Sequence, residues 1–390
     1  MAWTGLSLME QRLALVRAID GGLEDVGEAC ARFGVSRKTG YKWRARYASE
    51  GIEGLADRGR APHRHGRASA AEIVAAIVEL KSARPTWGPR KLAARLALLH
   101  PETIWPSHST VGEILKREGL GGSARRRRRH APPTRGPLVC PERANQVWAC
   151  DHKGWVRLGD GERLEPLNVM DGFSRYLVAL EASSGTDANQ ARAVFERAFA
   201  EHGLPEIIRS DNGAPFASSG VSGLTGLSAW WVSLGIRLER IAPGKPQQNG
   251  CCERLNGTLM EAMTPPEADR ANQQARFDAF RQVYNEERPH EALGQRPPAS
   301  AFAPSPRAMP ERPPEPEYPA DAQTRRVRGN GCVKWRGGEV FVCTALAGQP
   351  IALIEDEAGD AEVRYYDLTI GLIPRHDPNM RRQTPNLSPI

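Results

Sequence analysis

No stretch of this 390-residue sequence approaches the roughly 18 apolar residues a membrane-crossing helix needs, which argues against a helical transmembrane protein. The opening MAWTGLSLMEQRLALVRAID carries acids and lacks a continuous apolar segment, so no secretion signal is expected. Seven cysteines without any Cys-x-x-Cys spacing argue against a disulfide framework and against a cysteine-rich zinc module. His63, His65, His100 and His108 have no cysteine pair with them, so they make no zinc-finger pattern. Reduced thiols in a cytoplasmic chain are the simplest reading. What is present fits soluble globular domains: 25% charged and 40% hydrophobic residues, over a length that suggests two to four domains.

Charge is unevenly spread. Residues 1–143 hold 26 Lys+Arg and 14 Asp+Glu, a net of +12; residues 144–390 hold 27 and 32, a net of −5. A basic first third suits a polyanionic partner, although an ordinary solvated surface would look the same.

Residues 1–60 read as a helix-turn-helix domain. Leu8, Leu13, Val16 and Ile19 have helical spacing, Gly21-Gly22 ends that helix, and a second runs from about Glu24 to Phe33. Gly34 supplies a turn and Ser36 can cap the basic helix SRKTGYKWRARY. Arg37, Lys38, Lys42 and Arg44 are its candidate DNA contacts, with Val35, Trp43 and Tyr47 facing inward. Gly40 departs from the pattern, which usually has an apolar residue there. A generic three-helix bundle with a basic face is the plain alternative. Residues 68–122 read as a second, less basic helix-turn-helix-like unit, with Pro89 in a first turn and Ser107 or Ser109 as a cap; a packing role fits it equally. The Arg125, Arg126, Arg127, Arg128, Arg129 run lies in a basic linker, 123–144, and suits phosphates or simple solvation.

The chain changes character over 145–296. NQVWACDHKGWV, LEPLNVM and RYLVALEA read as strands, 187–202 as an amphipathic helix, and EIIRS as a strand leading into Asp211-Asn212-Gly213. The expected class is an α/β domain with a mixed sheet. Nine prolines make 297–324 an extended linker. Residues 325–375 read as short strands closing a small β-barrel that folds apart from the preceding domain.

Three acids stand out. Asp151 sits inside a strand, Asp211 at the carboxyl end of one, and Glu253 at the start of a helix, spaced by 60 and 42 positions. Convergent carboxylates repel one another unless a cation sits among them, so a triad implies Mg²⁺ or Mn²⁺, and two ions suit phosphodiester chemistry. Taken singly, Asp211 is a turn residue, Glu253 a first-turn acid and Asp151 a partner for Lys153 or Arg175. Lys245, Gln248, Asn249 and Arg254, flanking Glu253, can reach a DNA backbone or base edges. For Tyr284, Asn285, Arg288 and His290 a packing role is at least as good.

The motifs VWACD (147–151), NVMDGFSRY (168–176), IIRSDNGAPF (207–216), PGKPQQNGCCERLNGTL (243–259) and VYNEERPHEALGQRPPASAF (283–302) resemble the retroviral-type integrase core of bacterial insertion-sequence DDE transposases, whose fold is ribonuclease H-like. That resemblance implies tandem N-terminal helix-turn-helix units, this core and a small C-terminal barrel. It implies Asp151, Asp211 and Glu253 as catalytic metal ligands; were Glu253 not the third, Glu261 and Glu239 would be the next acids to consider. The interval between Asp211 and Glu253 is longer than is usual in the family; Gly/Ser-rich 217–228 is the expected insert. The zinc module of retroviral integrases has no counterpart. The implied activity is binding of terminal inverted repeats, metal-dependent cleavage and strand transfer by a homodimer or higher oligomer on double-stranded DNA, in a cytoplasm where the bound protein is nucleoid-associated. A catalytically inactive DNA-binding regulator and a nuclease without strand transfer are the alternatives.

Overall fold

The computed structural model describes residues 7–22, 24–58, 69–121, 138–242, 246–377 and 379–381. Two compact units are present, Met1–Ala68 and Ser69–Ile390. The Arg125–Arg129 run and Lys245 lie outside the described residues.

In the first unit, α1 (Leu8–Asp20) opens on a capping box: Ser7 accepts from the Glu10 amide and Glu10 returns the bond. Asp25 caps α2 (Val26–Arg32), Gly34 turns the chain at φ +64°, and Ser36 caps α3 (Arg37–Glu50). Leu15, Val16, Ile19, Ala29, Cys30, Trp43 and Leu55 form its core. Gly40 has a clear reason to depart from the usual apolar residue. A Cβ there would overlap Cys30 Sγ and sit 3.3 Å from Ile19 Cδ1, so the cysteine fills the space that a larger residue at 40 would take. Gly40→Ala should therefore lower the chain's first unfolding midpoint. Overpacking costs about 1–3 kcal/mol, more than the ~1 kcal/mol that alanine gains as a helix former. Cys30→Ala in the same chain should recover most of the loss; a Gly40→Ala protein as stable as the parent would refute this packing.

The second unit begins with α4 (Ala71–Ala83), α5 (Pro89–Leu99) and α6 (His108–Arg117), around Ile77, Trp87, Leu92, Leu96, Val111 and Ile114. Ser107 caps α6. This bundle is bound to the domain that follows. Val283 packs against its core, Arg84 and Arg95 reach Glu287 at 2.6 and 3.8 Å, and Lys91 donates to the Pro289 carbonyl. One of its faces therefore does serve packing.

Next come β1 (Val147–His152), the short hairpin β2 (Val156–Arg157) and β3 (Arg163–Leu164), β4 (Leu167–Asp171), β5 (Leu177–Glu181), α7 (Ala188–His202), β6 (Ile207–Ser210), α8 (Gly226–Ser233), β7 (Arg237–Arg240), α9 (Gly250–Ala262) and α10 (Arg270–Gln282). Five strands form one mixed sheet in the order β5-β4-β1-β6-β7. β5, β4 and β1 pair antiparallel; β6 and β7 continue parallel to β1. Alternation along β4 serves two cores. Val169 joins Trp148, Phe195, Phe199 and Trp231 on the α7/α8 face, while Met170 joins Leu255, Leu259 and Phe277 on the α9/α10 face. Strand β7 was not visible in the sequence: RLER has three charges in four residues. Its Glu239 bonds to Arg209 of β6 at 2.7 Å, so pairing with β6 replaces an apolar pattern.

Asp171 is fully buried yet satisfied. Its carboxylate accepts from the Asn145 amide and from the amide and hydroxyl of Ser174 at 2.6–2.7 Å, which fixes the turn between β4 and β5.

The proline-rich stretch is extended, but it is no free tether. Phe302 stacks on Tyr176 at 4.1 Å. The Asn145 side-chain amide donates to the Ala303 carbonyl, Ser305 and Arg307 share backbone bonds with His202 and Leu204, and the Arg307 guanidinium bonds the carbonyls of Pro205, Leu234 and Gly235. Beyond it lie β8 (Gln323–Arg326), β9 (Cys332–Trp335), β10 (Gly338–Phe341), β11 (Pro350–Glu355), β12 (Ala361–Tyr365) and β13 (Leu368–Ile373). These make a four-stranded antiparallel sheet, β13-β12-β11-β8, and a β9–β10 hairpin; no closed barrel forms among the described residues. Nor do the strands stand apart. Leu224, Ala229 and Val232 share one hydrophobic cluster with Val333, Leu346, Ile351, Leu353 and Tyr365. The expected Gly/Ser-rich insert and α8 thus supply the floor on which the C-terminal strands are seated.

Candidate active site

The parallel pairing of β1 with β6 sets Val147 beside Ile207 and Ala149 beside Arg209, so both strands run toward the same edge. Asp151 lies near the carboxyl end of β1, and Asp211 follows the last residue of β6. Open α/β sheets place ligand sites at this edge. Helix α9 crosses below it, held by Cys252, Leu255 and Leu259, with Glu253 exposed in its first turn.

Asp151 is largely buried. Burial pushes its carboxyl up to about 6; a bond from Asn256 opposes that, and the charges of Asp211 and Glu253 add to it. Asp151 therefore feels both of the other acids. They do not close into a cage: among the described residues no three His, Cys, Asp or Glu groups stand close enough to hold a metal ion. Each has another engagement. Asp151 Oδ2 accepts from Asn256 Nδ2 at 2.7 Å, Asp211 Oδ1 accepts from the Gly213 amide at 3.1 Å, and Glu253 faces solvent. Oxygen-only donors, one of them largely buried and only partly offset by Asn256 and the charge of Lys153, are the chemistry that a hard divalent cation satisfies.

An amide network missed by the sequence reading holds Asp151. Asn256, on the same face of α9 as Glu253 and one turn later, is buried. Asn168, opposite Asp151 on β4, bonds both the Asp151 carbonyl at 3.0 Å and Asn256 Oδ1 at 3.1 Å. The i, i+3 spacing from Glu253 was the available signal for Asn256. Next door, the half-buried His152 ring lies 5.5 Å from the Phe216 ring, and burial lowers its pKa against the pull of Glu165.

Other anticipated contacts are placed differently. Asn249 is buried and donates to the Cys150 carbonyl at 3.3 Å, and Gln248 accepts from the Ala242 amide at 2.6 Å; both brace the loop before α9. Asn212 ties that edge to the Ile241 carbonyl. Arg254 is exposed. Glu239 is committed to Arg209 and to the Val139 amide, so it is no substitute ligand. Asn285 bonds both backbone groups of Leu177, and Tyr284 Oη lies 2.9 Å from His290 Nε2, a structural use of both. In the first unit Arg37, Lys38 and Lys42 are exposed on α3, while Arg44 bonds Asp20 of α1 at 2.6 Å.

A mixed five-stranded sheet with acids at the shared edge of β1 and β6 is the arrangement of an integrase-type core, a class within the polynucleotidyl transferases. The chain matches the integrase core domain family over residues 141–246 and again over 234–298. It matches a helix-turn-helix domain over 11–63 and a homeodomain-like domain over 39–115. An uncharacterized 31.7 kDa protein of insertion element IS407 from Burkholderia multivorans is 31% identical over 245 residues, covering 62% of this chain and 84% of that protein. An uncharacterized 39.2 kDa protein of insertion element IS476 from Xanthomonas euvesicatoria is 28% identical, covering 59% of this chain and 64%, under two thirds, of that one. The solved HTLV-2 integrase catalytic core domain in complex with magnesium is a loose match: 16% identity, TM-score 0.33, covering 41% of this chain and 97% of that one. The chain belongs to the insertion-element transposases with an integrase core and N-terminal helix-turn-helix domains. Among the described residues no helix is long and apolar enough to cross a membrane.

Proposed function

We propose that this chain binds the terminal inverted repeats of its element and catalyses metal-dependent cleavage and strand transfer of DNA. The observation that carries the reading is the placement of Asp151 and Asp211 at the same edge of adjacent parallel strands, with Glu253 in electrostatic reach from α9. These three side chains would hold magnesium or manganese, two ions in the fullest form. Bound there, the cations would activate water or a 3′-hydroxyl and neutralise charge on the phosphate. Asn256 holds the Asp151 carboxylate, and Asn168 braces Asn256 and the Asp151 carbonyl. Exposed Arg37, Lys38 and Lys42 on α3 suit a major groove. Joining two ends calls for a dimer or higher oligomer on DNA.

The test incubates the protein with labelled element ends and a plasmid, with Mg²⁺ or with EDTA. Joined products only with Mg²⁺ are expected. End binding without cleavage under every metal condition would favour the inactive regulator, and cleavage without joining a plain nuclease.

A further inference from the structure

The second unit carries a cleft of about 750 Å³, apart from the acidic edge. Its walls come from three segments: Cys140-Pro141 before β1, the Gly172–Arg175 turn between β4 and β5, and 292–301 after α10. Its volume lies within the ~300–1,000 Å³ usual for small-ligand sites. Among the described residues that line it, Arg175 and Arg296 are the charged ones, so this lining offers two positive charges and no carboxylate. Neither forms an ion pair among the described residues. Phe173, a cleft residue, keeps 37% of its surface exposed.

The two guanidiniums are mounted on pinned loops. Arg175 has φ +63°, a backbone conformation that an L-residue with a side chain seldom adopts. The buried Asp171 carboxylate holds Ser174, and the Arg175 amide bonds the Asp171 carbonyl at 3.0 Å, so the turn over-determines that conformation. Arg296 sits in a loop closed by backbone bonds between His290 and residues 295 and 296. Positive charge extends beyond the cleft. Burial, then Lys91, Arg288, Arg175 and Arg254, pushes His290 down to about 3, so its ring stays neutral among cations.

We propose that this cleft takes an unpaired nucleotide of a DNA strand, its base against Phe173 and its phosphates on Arg175 and Arg296. An aromatic face beside cations is the arrangement that binds single strands without regard to sequence. The inference rests on DNA being the partner, as in the proposed function, but not on the acids or on any chemistry.

Cys140 gives a local readout, because it lines the cleft and is exposed. The full chain in EDTA is alkylated with N-ethylmaleimide, and modification is read by peptide mass spectrometry, with half-exposed Cys332 as internal reference. The probes are a short mixed-sequence single strand, the blunt duplex of the same sequence, and polyglutamate. The single strand should slow alkylation of Cys140 and not of Cys332, at lower concentration than the duplex. Phe173→Ala with Arg296→Gln should raise the half-protecting concentration roughly tenfold or more, and Phe173→Trp should preserve protection. DNA bound by mobility shift with Cys140 unprotected, protection unchanged in the double variant, or equal protection by polyglutamate would each overturn the proposal. Loss of joining in the Mg²⁺ assay with protection intact would fail the proposed function alone; intact joining without protection would fail this inference alone.

Discussion

Asp151→Asn and Asp211→Asn should each abolish cutting and joining while leaving end binding unchanged. On the proposed function, each removes a metal-ligating oxygen and no DNA contact. The loss should be roughly a thousandfold or more, because several kcal/mol of transition-state stabilisation rest on the cation. Glu253→Gln should do the same; if it still joins strands, the third ligand lies elsewhere. Asn256→Ala should cost less, about tenfold to a hundredfold, since it removes one bond to a charged group and keeps the ligand. Folding can be checked by a change of opposite sign. Asp151 titrates near 6 in the fold, above its usual 3.8, so the folded state favours the protonated form. That contribution is complete below the ordinary carboxyl pKa and is lost as pH rises through about 6. Without metal and near neutral pH, Asp151→Asn should therefore melt higher than the parent, by on the order of 2 kcal/mol, with the gap closing in acid. Denaturant melts of the two proteins at several pH values measure this. An inactive variant that is also less stable at neutral pH would mean the residue serves the fold, not the cation.

The three acids were legible as candidates because each sits in a motif that the family resemblance singles out: VWACD, IIRSDNG and the helix opening CCERLNG. What surrounds them was less so. An asparagine in sequence carries no sign of whether it faces solvent or a carboxylate. Asn249 and Asn256 lie seven residues apart around one helix start, yet one bonds the Cys150 carbonyl and the other Asp151. Glu239 and Glu253 look alike until the sheet order puts Arg209 beside the first.

Helices with strong caps were also legible, as Ser36 and Ser107 mark the starts of α3 and α6. The seating of the C-terminal strands was hidden for another reason. GLSAWWVS can be read as a short helix, but its message is that it is apolar nearly all round, which means burial on both sides. Trp230 and Trp231 face the large sheet, while Ala229 and Val232 face the C-terminal cluster. The many prolines before β8 suggested a loose tether because composition reports extension and not where the backbone bonds go.

That seating makes deletion of residues 320–390 a severe change to the core. In the intact chain Leu224, Ala229 and Val232 are each at most 7% exposed, and Val221 and Leu238 pack beside them. Truncation bares this patch. Burial of a leucine or valine side chain is worth about 1.5–3 kcal/mol, so the loss is on the order of 5 kcal/mol. A typical domain has only about 5–15 kcal/mol in total. The truncated chain should aggregate, or unfold at much lower denaturant than the parent, and lose joining for that reason. Leu224→Ser with Val232→Ser in the full chain distinguishes this from loss of any DNA contact made by the deleted residues, because it leaves those residues in place. That double variant should also unfold early, as it weakens the same cluster from the other side. A soluble truncated protein with the parent's unfolding midpoint would show that α8 does not depend on its C-terminal cover.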